Sequence, residues 1–93
     1  MSQSIARLVT VSPDVLCQHV EGNAVLLNLA TDRYHSLDDV GTRMWDALSA
    51  DGDVERMVAE LLTVYDIDEP RLRSDVHALL GALASAGLVT LEA

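Results

Sequence analysis

The sequence has no lysine and no phenylalanine, and its only basic side chains are six arginines against 15 acidic residues. The formal net charge is −9 over 93 residues. Nucleic acids and anionic membrane surfaces are bound through clustered cations, so this charge excludes both as partners. Hydrophobic residues make up 49% of the chain, which favours one small folded domain over a disordered segment.

Other absences exclude whole classes of protein. The single Cys17 cannot form an internal disulfide, and a lone cysteine in an apolar stretch is typical of a small packing residue. No apolar run approaches the roughly 20 residues of a membrane span, and the first residues lack the pattern of a signal peptide. The histidines lack metal-site spacing. We therefore expect one cytoplasmic, non-enzymatic domain over residues 1–93, with no metal, cofactor or catalytic residue.

Hydrophobic alternation in the first part of the chain predicts strands. Residues 15–20 and 24–29 flank a turn that contains Gly22, and residues 33–37 follow a second turn. This pattern is typical of a three-stranded antiparallel meander. Leu8–Val11 is a further extended stretch and a candidate to join that sheet.

The remainder of the chain has apolar residues at helical spacing and predicts three helices. Ser36 and Asp39 have the spacing of a capping box before the first helix. The third helix is predicted over residues 69–86 with Asp68 as its N-cap. Residues 88–91 form a candidate closing strand. The fold class is therefore α+β, with a three-stranded antiparallel sheet followed by three helices.

The strand over residues 33–37 has no obvious partner later in the chain. An unpaired sheet edge can accept an extended peptide as an added strand. Charge is also uneven, because residues 1–34 carry a net charge of −1 and residues 35–93 carry −8. These two features favour an extended peptide that carries positive charge as a partner of the edge strand.

Motifs over residues 12–91 resemble the PqqD family. They include Gly22, Val25-Leu26-Leu27-Asn28-Leu29, Arg33-Tyr34, Leu37-Asp38, Gly41 and Met44-Trp45, then Val58, Leu61 and Tyr65, and finally Asp75-Val76, Leu79-Leu80, Leu83 and Gly87-Leu88. The resemblance implies a winged helix-turn-helix-like fold that acts as a RiPP recognition element. Such a domain is a peptide chaperone that binds the leader of a ribosomally made precursor and presents it to modifying enzymes.

The chain length and Arg33-Tyr34-His35-x-Leu37 resemble the stand-alone members of lasso-peptide biosynthesis. This resemblance implies three partners. The first is the precursor leader peptide and the second is a cysteine-protease leader peptidase. An ATP-dependent macrolactam synthetase is a further candidate.

The resemblance also implies where the leader binds. It would pair antiparallel to the third meander strand and lie in the groove between that strand and the third helix. The corresponding strand residues are Arg33, Tyr34, His35, Ser36 and Leu37, and the corresponding helix is residues 69–86. On that helix the apolar spacing offers Val76, Leu79 and Leu83 as pocket walls, and Asp75 is a candidate partner for a leader arginine or lysine. The competing interpretations place Tyr34 against the helices, Leu37 in the core and Asp75 in solvent. Proline at His35 is expected to weaken binding, because proline cannot donate to an added strand.

Two other functions stay open at this point. His35-Ser36-Leu37 resembles the Asp-Ser-Leu motif of acyl carrier proteins, which would place phosphopantetheine on Ser36. The predicted upstream strands argue against this, because a carrier protein begins with a long helix. A winged-helix DNA-binding regulator would fit the topology, and the net charge argues against it.

Overall fold

Two antiparallel sheets and three helices form the structure, a computed structural model that describes residues 7–92. In chain order the elements are β1 (Leu8–Val11), β2 (Val15–Val20), β3 (Asn23–Asn28), β4 (Arg33–Ser36), α1 (Asp39–Asp51), α2 (Val54–Val64), α3 (Glu69–Ser85) and β5 (Val89–Glu92). The predicted α+β class is confirmed, with the strands of the larger sheet preceding the helices.

Strands β2, β3 and β4 form the predicted meander, with β3 in the centre. A two-residue turn joins β2 to β3, and its residues Glu21 and Gly22 have φ angles of 53° and 87°. Two successive positive φ angles define the type I′ turn, whose twist matches that of the flanking strands. The inner face of β3 is fully buried at Ala24 and Leu26, so the helices cover this side of the sheet.

Strand β1 does not join the meander, contrary to the expectation from the sequence. It pairs antiparallel with β5, from Leu8 opposite Glu92 to Val11 opposite Val89. The closing strand predicted over residues 88–91 is confirmed as β5. Hydrophobic alternation marks a segment as extended but does not say which sheet it joins, because pairing depends on distant residues.

Aspartate side chains mark the beginnings of the helices. The Asp38 carboxylate accepts a hydrogen bond from the Gly41 N–H at 2.8 Å and caps α1. The predicted Ser36 cap is therefore wrong, because Ser36 still belongs to β4. Asp53 caps α2 in the same way, accepting a backbone N–H at 3.1 Å. Asp68 occupies the N-cap position of α3, but its side chain makes no capping hydrogen bond.

The core lies between the inner face of the meander and the three helices, and β1 and β5 close one side. Its buried apolar residues are Val9, Ala24, Leu26, Leu37, Met44, Trp45, Leu48, Val54, Met57, Val58, Leu61, Leu72, Val76, Leu80, Leu83, Leu88 and Val89. Burying one large side chain of this kind stabilises the fold by about 1.5–3 kcal/mol. All three helices contribute, so their positions around the sheet are fixed by shared packing.

Arg73 of α3 links helices α2 and α3. Its guanidinium donates two hydrogen bonds to the Glu55 carboxylate of α2, both at 2.8 Å, and one to Glu69 at 2.9 Å. The hydrogen bonds from Arg73 hold the pKa of Glu55 below its usual value. Bidentate pairing fixes direction as well as distance. It therefore orients the two helices and the loop over residues 65–68 that joins them.

Asn28 at the end of β3 joins the meander to the end of α3. Its side chain is buried, donates to the Ala86 carbonyl at 3.1 Å and accepts from the Ala30 N–H at 3.0 Å. We expect Asn28→Ala to lower the free energy of unfolding by about 1–3 kcal/mol, because two backbone groups lose their partner. Urea denaturation measures this loss as a lower midpoint at an unchanged slope.

The control for this substitution is Asn23→Ala. Asn23 is exposed at the start of the same strand, and an exposed substitution of this kind usually changes stability by less than about 0.5 kcal/mol. Equal midpoints for the two variants would show that the Asn28 hydrogen bonds contribute nothing to stability.

Candidate functional site

Strand β4 is an edge of the three-stranded sheet, and within residues 7–92 only β3 pairs with it. Just after β4, the Leu37 N–H donates to the Ala24 carbonyl of β3 at 2.8 Å. Backbone groups of alternate residues point to opposite sides of a strand, so those of His35 also point to β3. The N–H and C=O groups of Tyr34 and Ser36 consequently point to the open edge. They are the groups that an added strand would meet.

This alternation corrects the expectation for proline at His35. The His35 N–H faces Leu26 of β3, so proline there would disrupt the sheet itself. Tyr34 and Ser36 are the positions where loss of an N–H tests the open edge.

The side chains of β4 also alternate, between the two faces of the sheet. Tyr34 is 74% exposed and lies on the outer face, in register with Leu27 and, on β2, with Leu16. The interpretation of Tyr34 as a residue packed against the helices is therefore wrong. His35 is partly buried on the opposite face, in register with Leu26, and shares that face with the exposed Arg33.

Helix α3 contributes Asp75 and Leu79 to a surface cavity of about 170 Å³. The start of α1 supplies the other lining residues, which are Asp38, Val40, Gly41 and Met44. We call this the α1–α3 cavity. Only Leu37 and Asp38 separate β4 from α1, so the α1 side of the cavity is close in the chain to the end of the open edge. The carboxylates of Asp38 and Asp75 make its lining acidic, which favours a basic side chain in a bound peptide.

Three of the predicted site residues lie in the core. Leu37 is 4% exposed, and Val76 and Leu83 are 0% exposed. For Leu37 this burial agrees with the competing interpretation as a core residue. Val76 and Leu83 are too deeply buried to form the walls of a surface pocket, so that assignment is corrected for these two residues. On α3, Asp75 and Leu79 are four residues apart and share the face beside the buried one. The structure therefore leaves Asp75 and Leu79 as the predicted helix residues that line a surface cavity.

Val40, Gly41 and Met44 line the cavity but were not predicted as site residues. The helical spacing of Val40 and Met44 indicated only the packing face of the first helix. The capping aspartate Asp38 could have indicated Val40, because it marks the start of α1. The first turn of a helix lies next to the strand that leads into it.

The remaining candidates for chemistry give no reactive arrangement. Burial raises the pKa of the Cys17 thiol, and the Asp46 carboxylate raises it further, which disfavours the nucleophilic thiolate. Ser36 ends a strand, whereas the phosphopantetheine hypothesis required a serine at the start of a helix. Within residues 7–92 no three His, Cys, Asp or Glu side chains are grouped to hold a metal ion. None of the helices described is both long and apolar enough to cross a membrane.

Comparison with known proteins adds to this geometry. Residues 23–89 match the family model described as coenzyme PQQ synthesis protein D (PqqD). The chain belongs to the PqqD family. The match extends from the start of β3 to the start of β5, so it includes the candidate site elements β4, α1 and α3. The resemblance seen in the sequence is thereby confirmed. No curated protein matches the chain in sequence.

Two solved structures resemble this PqqD-family domain over nearly its whole length. TbiB1 in complex with the TbiA(beta) leader peptide is 33% identical, with a TM-score of 0.85 over 90% of this chain and 98% of that chain. Lasso peptide synthetase B1 complexed with the leader peptide is 18% identical, with a TM-score of 0.80 over 88% of this chain and 96% of that chain. The second comparison shows the shared fold.

Proposed function

We propose that this PqqD-family domain is a non-catalytic binder of the leader peptide of a ribosomally made precursor, that of a lasso peptide. The observation that carries the proposal is the open edge of β4 beside the acidic α1–α3 cavity. TbiB1, which is 33% identical to this chain, binds a leader peptide in its solved structure, and this supports the same function here.

The leader pairs antiparallel with β4 through the backbone groups of Tyr34 and Ser36. Each hydrogen bond contributes about 0.5–1.5 kcal/mol net, so the four N–H and C=O groups contribute roughly 2–6 kcal/mol. Ordering a disordered leader costs roughly 2–5 kcal/mol or more. Backbone pairing therefore little more than offsets the ordering cost, and side chains supply most of the affinity.

Those side chains come from alternate residues of the leader. Residues opposite His35 point to the helical face of the sheet and approach the α1–α3 cavity, whereas their neighbours extend the outer face beside Tyr34. In the cavity, Val40 and Leu79 offer apolar contact, worth about 25 cal/mol per Å² buried. Asp75 accepts from a leader arginine or lysine. Specificity thus comes from every second leader residue.

The domain holds only the leader and leaves the rest of the precursor accessible. We propose that it presents the precursor to a cysteine-protease leader peptidase and to an ATP-dependent macrolactam synthetase. The resemblance of Arg33-Tyr34-His35-x-Leu37 to lasso-pathway members supports these partners, and lasso peptide synthetase B1 has the same fold.

Amide hydrogen exchange of the isotope-labelled domain tests the proposal. The probe is a synthetic leader of the precursor peptide encoded beside this gene. We expect saturating leader to slow exchange at Tyr34 and Ser36, because their N–H groups acquire partners. The matched control is the other edge of the sheet. There Leu29 donates to the Asp14 carbonyl, so the amides of Cys17 and His19 point to the open side of β2.

Exchange at Cys17 and His19 should stay unchanged when the leader binds. Protection there in place of Tyr34 and Ser36 would assign the leader to β2. Unchanged exchange along both edges at saturating leader would falsify strand addition altogether.

A further inference from the structure

The two ends of the open edge strand carry opposite charges. Arg33 is the first residue of β4, and its side chain lies on the same face of the sheet as His35. Beyond the last residue of β4, the carboxylates of Asp38 and Asp75 line the α1–α3 cavity. A peptide paired with β4 therefore meets a cation at one end of the strand and carboxylates toward the other.

Helix α3 has the same asymmetry along its length. Asn28, the register partner of Arg33, donates to the Ala86 carbonyl at 3.1 Å, so the end of α3 lies near the start of β4. Asp75 lies in the first half of α3, and residues 76–86 contain no acidic side chain. The acidic residues that α3 and the start of α1 contribute are thus kept away from Arg33.

The Arg33 guanidinium has no carboxylate partner within the described part of the chain. It is exposed and forms no ion pair with the adjacent Asp32 or with any other of residues 7–92. Arg56 and Arg73 differ, because both pair with carboxylates of the domain. Arg33 can therefore pair with a carboxylate that arrives on an added strand, and a guanidinium suits that geometry.

Strand pairing determines which leader residue meets Arg33, and here the inference rests on the proposed function. Arg33 and His35 direct their backbone groups to β3, so the leader residues opposite them form pairs without hydrogen bonds. Side chains approach most closely in such pairs, with Cβ atoms about 4.5–5.5 Å apart. Because the leader is antiparallel, the residue opposite Arg33 lies two positions C-terminal to the residue opposite His35.

We propose that Arg33 is a specificity-determining residue that selects an aspartate or glutamate at this leader position. The leader is then recognised by two opposite charges, a base toward Asp75 and an acid at Arg33. This pair also fixes the register. A slip of two residues keeps every side chain on its face of the sheet, but it separates the acid from Arg33.

Charge reversal on both partners tests this proposal. Each acidic residue of the synthetic leader is replaced in turn by arginine, and fluorescence anisotropy measures binding to the unsubstituted domain and to Arg33→Glu. We expect Arg33→Glu to bind the original leader about tenfold more weakly, because like charges directly opposite each other repel. One reversed leader should lose as much on the unsubstituted domain, yet bind Arg33→Glu within about twofold of the original pair.

The position of that leader residue is a second expected result. Amide exchange of the labelled leader in the complex shows which of its residues pair with β4. The recovered residue should lie toward the C-terminal side of this protected segment, because that side meets the start of β4. Recovery of a residue at the N-terminal side would overturn the role of Arg33.

The matched control is Arg56→Glu, which makes the same change in net charge. Arg56 lines a cavity between α1 and α2 to which neither β4 nor α3 contributes. This variant should bind the original leader like the unsubstituted domain and recover no reversed leader. Equal recovery by Arg56→Glu would assign the effect to net charge and overturn the proposal.

A neutral variant keeps the test valid if Arg33→Glu does not fold. Arg33→Gln should lessen the cost of leader reversal at one position and leave the cost at the others unchanged. A cost that stays the same at every position, or a paired leader segment without an acidic residue, overturns the role of Arg33. Protection of Tyr34 and Ser36 by the leader is unaffected by that outcome, whereas loss of this protection overturns the proposed function.

Discussion

Replacing Tyr34 by proline should weaken leader binding about tenfold or more while the domain stays folded. The Tyr34 N–H points to the open edge, so proline removes a donor that only the added strand uses. One hydrogen bond corresponds to about 0.5–1.5 kcal/mol, or roughly two- to twelvefold in affinity. The proline ring also occupies the space of the leader carbonyl, which disturbs the neighbouring pair. Fluorescence anisotropy with the labelled leader measures the loss.

Two further variants show whether the backbone is responsible. Tyr34→Ala keeps the N–H and removes a side chain that lies on the outer face, so its affinity should stay within about threefold of the original. His35→Pro should instead lower the thermal midpoint, because its N–H belongs to the β3–β4 ladder. If Tyr34→Ala weakened binding as much as Tyr34→Pro, the leader would be bound through the tyrosine ring and not through strand pairing.

Gly52→Ala should lower the free energy of unfolding by about 3 kcal/mol or more. Gly52 ends α1 with a φ of 74°, a conformation that a side chain disfavours. A Cβ there would also lie 2.2 Å from the backbone carbonyl oxygen of Val9. The Val9 N–H donates to the Gly52 carbonyl at 2.8 Å, so relief of the clash would separate β1 from the helices. Urea denaturation measures the effect.

Gly22→Ala is the control for the effect of φ alone. Gly22 has a φ of 87°, and a Cβ there meets nothing within 4 Å. Its substitution should cost about 1–2 kcal/mol, the cost of the left-handed backbone without a clash. Similar losses at Gly22 and Gly52 would show that β1 moves away from the helix end at little cost.

The meander and the helices could be predicted from the sequence because their signals are local. The glycine turn at Gly22 specifies the first hairpin, and apolar spacing specifies each helix. Ser36 and Asp38 are both good capping residues two positions apart, and only the end of β4 decides between them. Pairing of Leu8–Val11 with β5 joins the two ends of the described chain, and no local pattern reports such a contact.

The site could be predicted only in part for a similar reason. The sequence grouped Asp75 and Leu79 with Val76 and Leu83 on the third helix. These residues lie on adjoining faces of one helix, and packing against the core decides which of them stay exposed. The sequence alone shows that the side chains of Tyr34 and His35 lie on opposite faces of a strand. The register with β3 decides which of them lies on the face covered by the helices.

The β1–β5 sheet also has a consequence for synthesis on the ribosome. Strand β1 is made first, yet its partner β5 is the last element of the structure. At about 5–20 residues per second, β1 waits for several seconds before its hydrogen bonds to β5 can form. During that interval Val9 lacks both its strand partner and a complete core. The nascent domain therefore lacks the β5 partner of β1, and closure of the two-stranded sheet must follow the emergence of β5 from the exit tunnel.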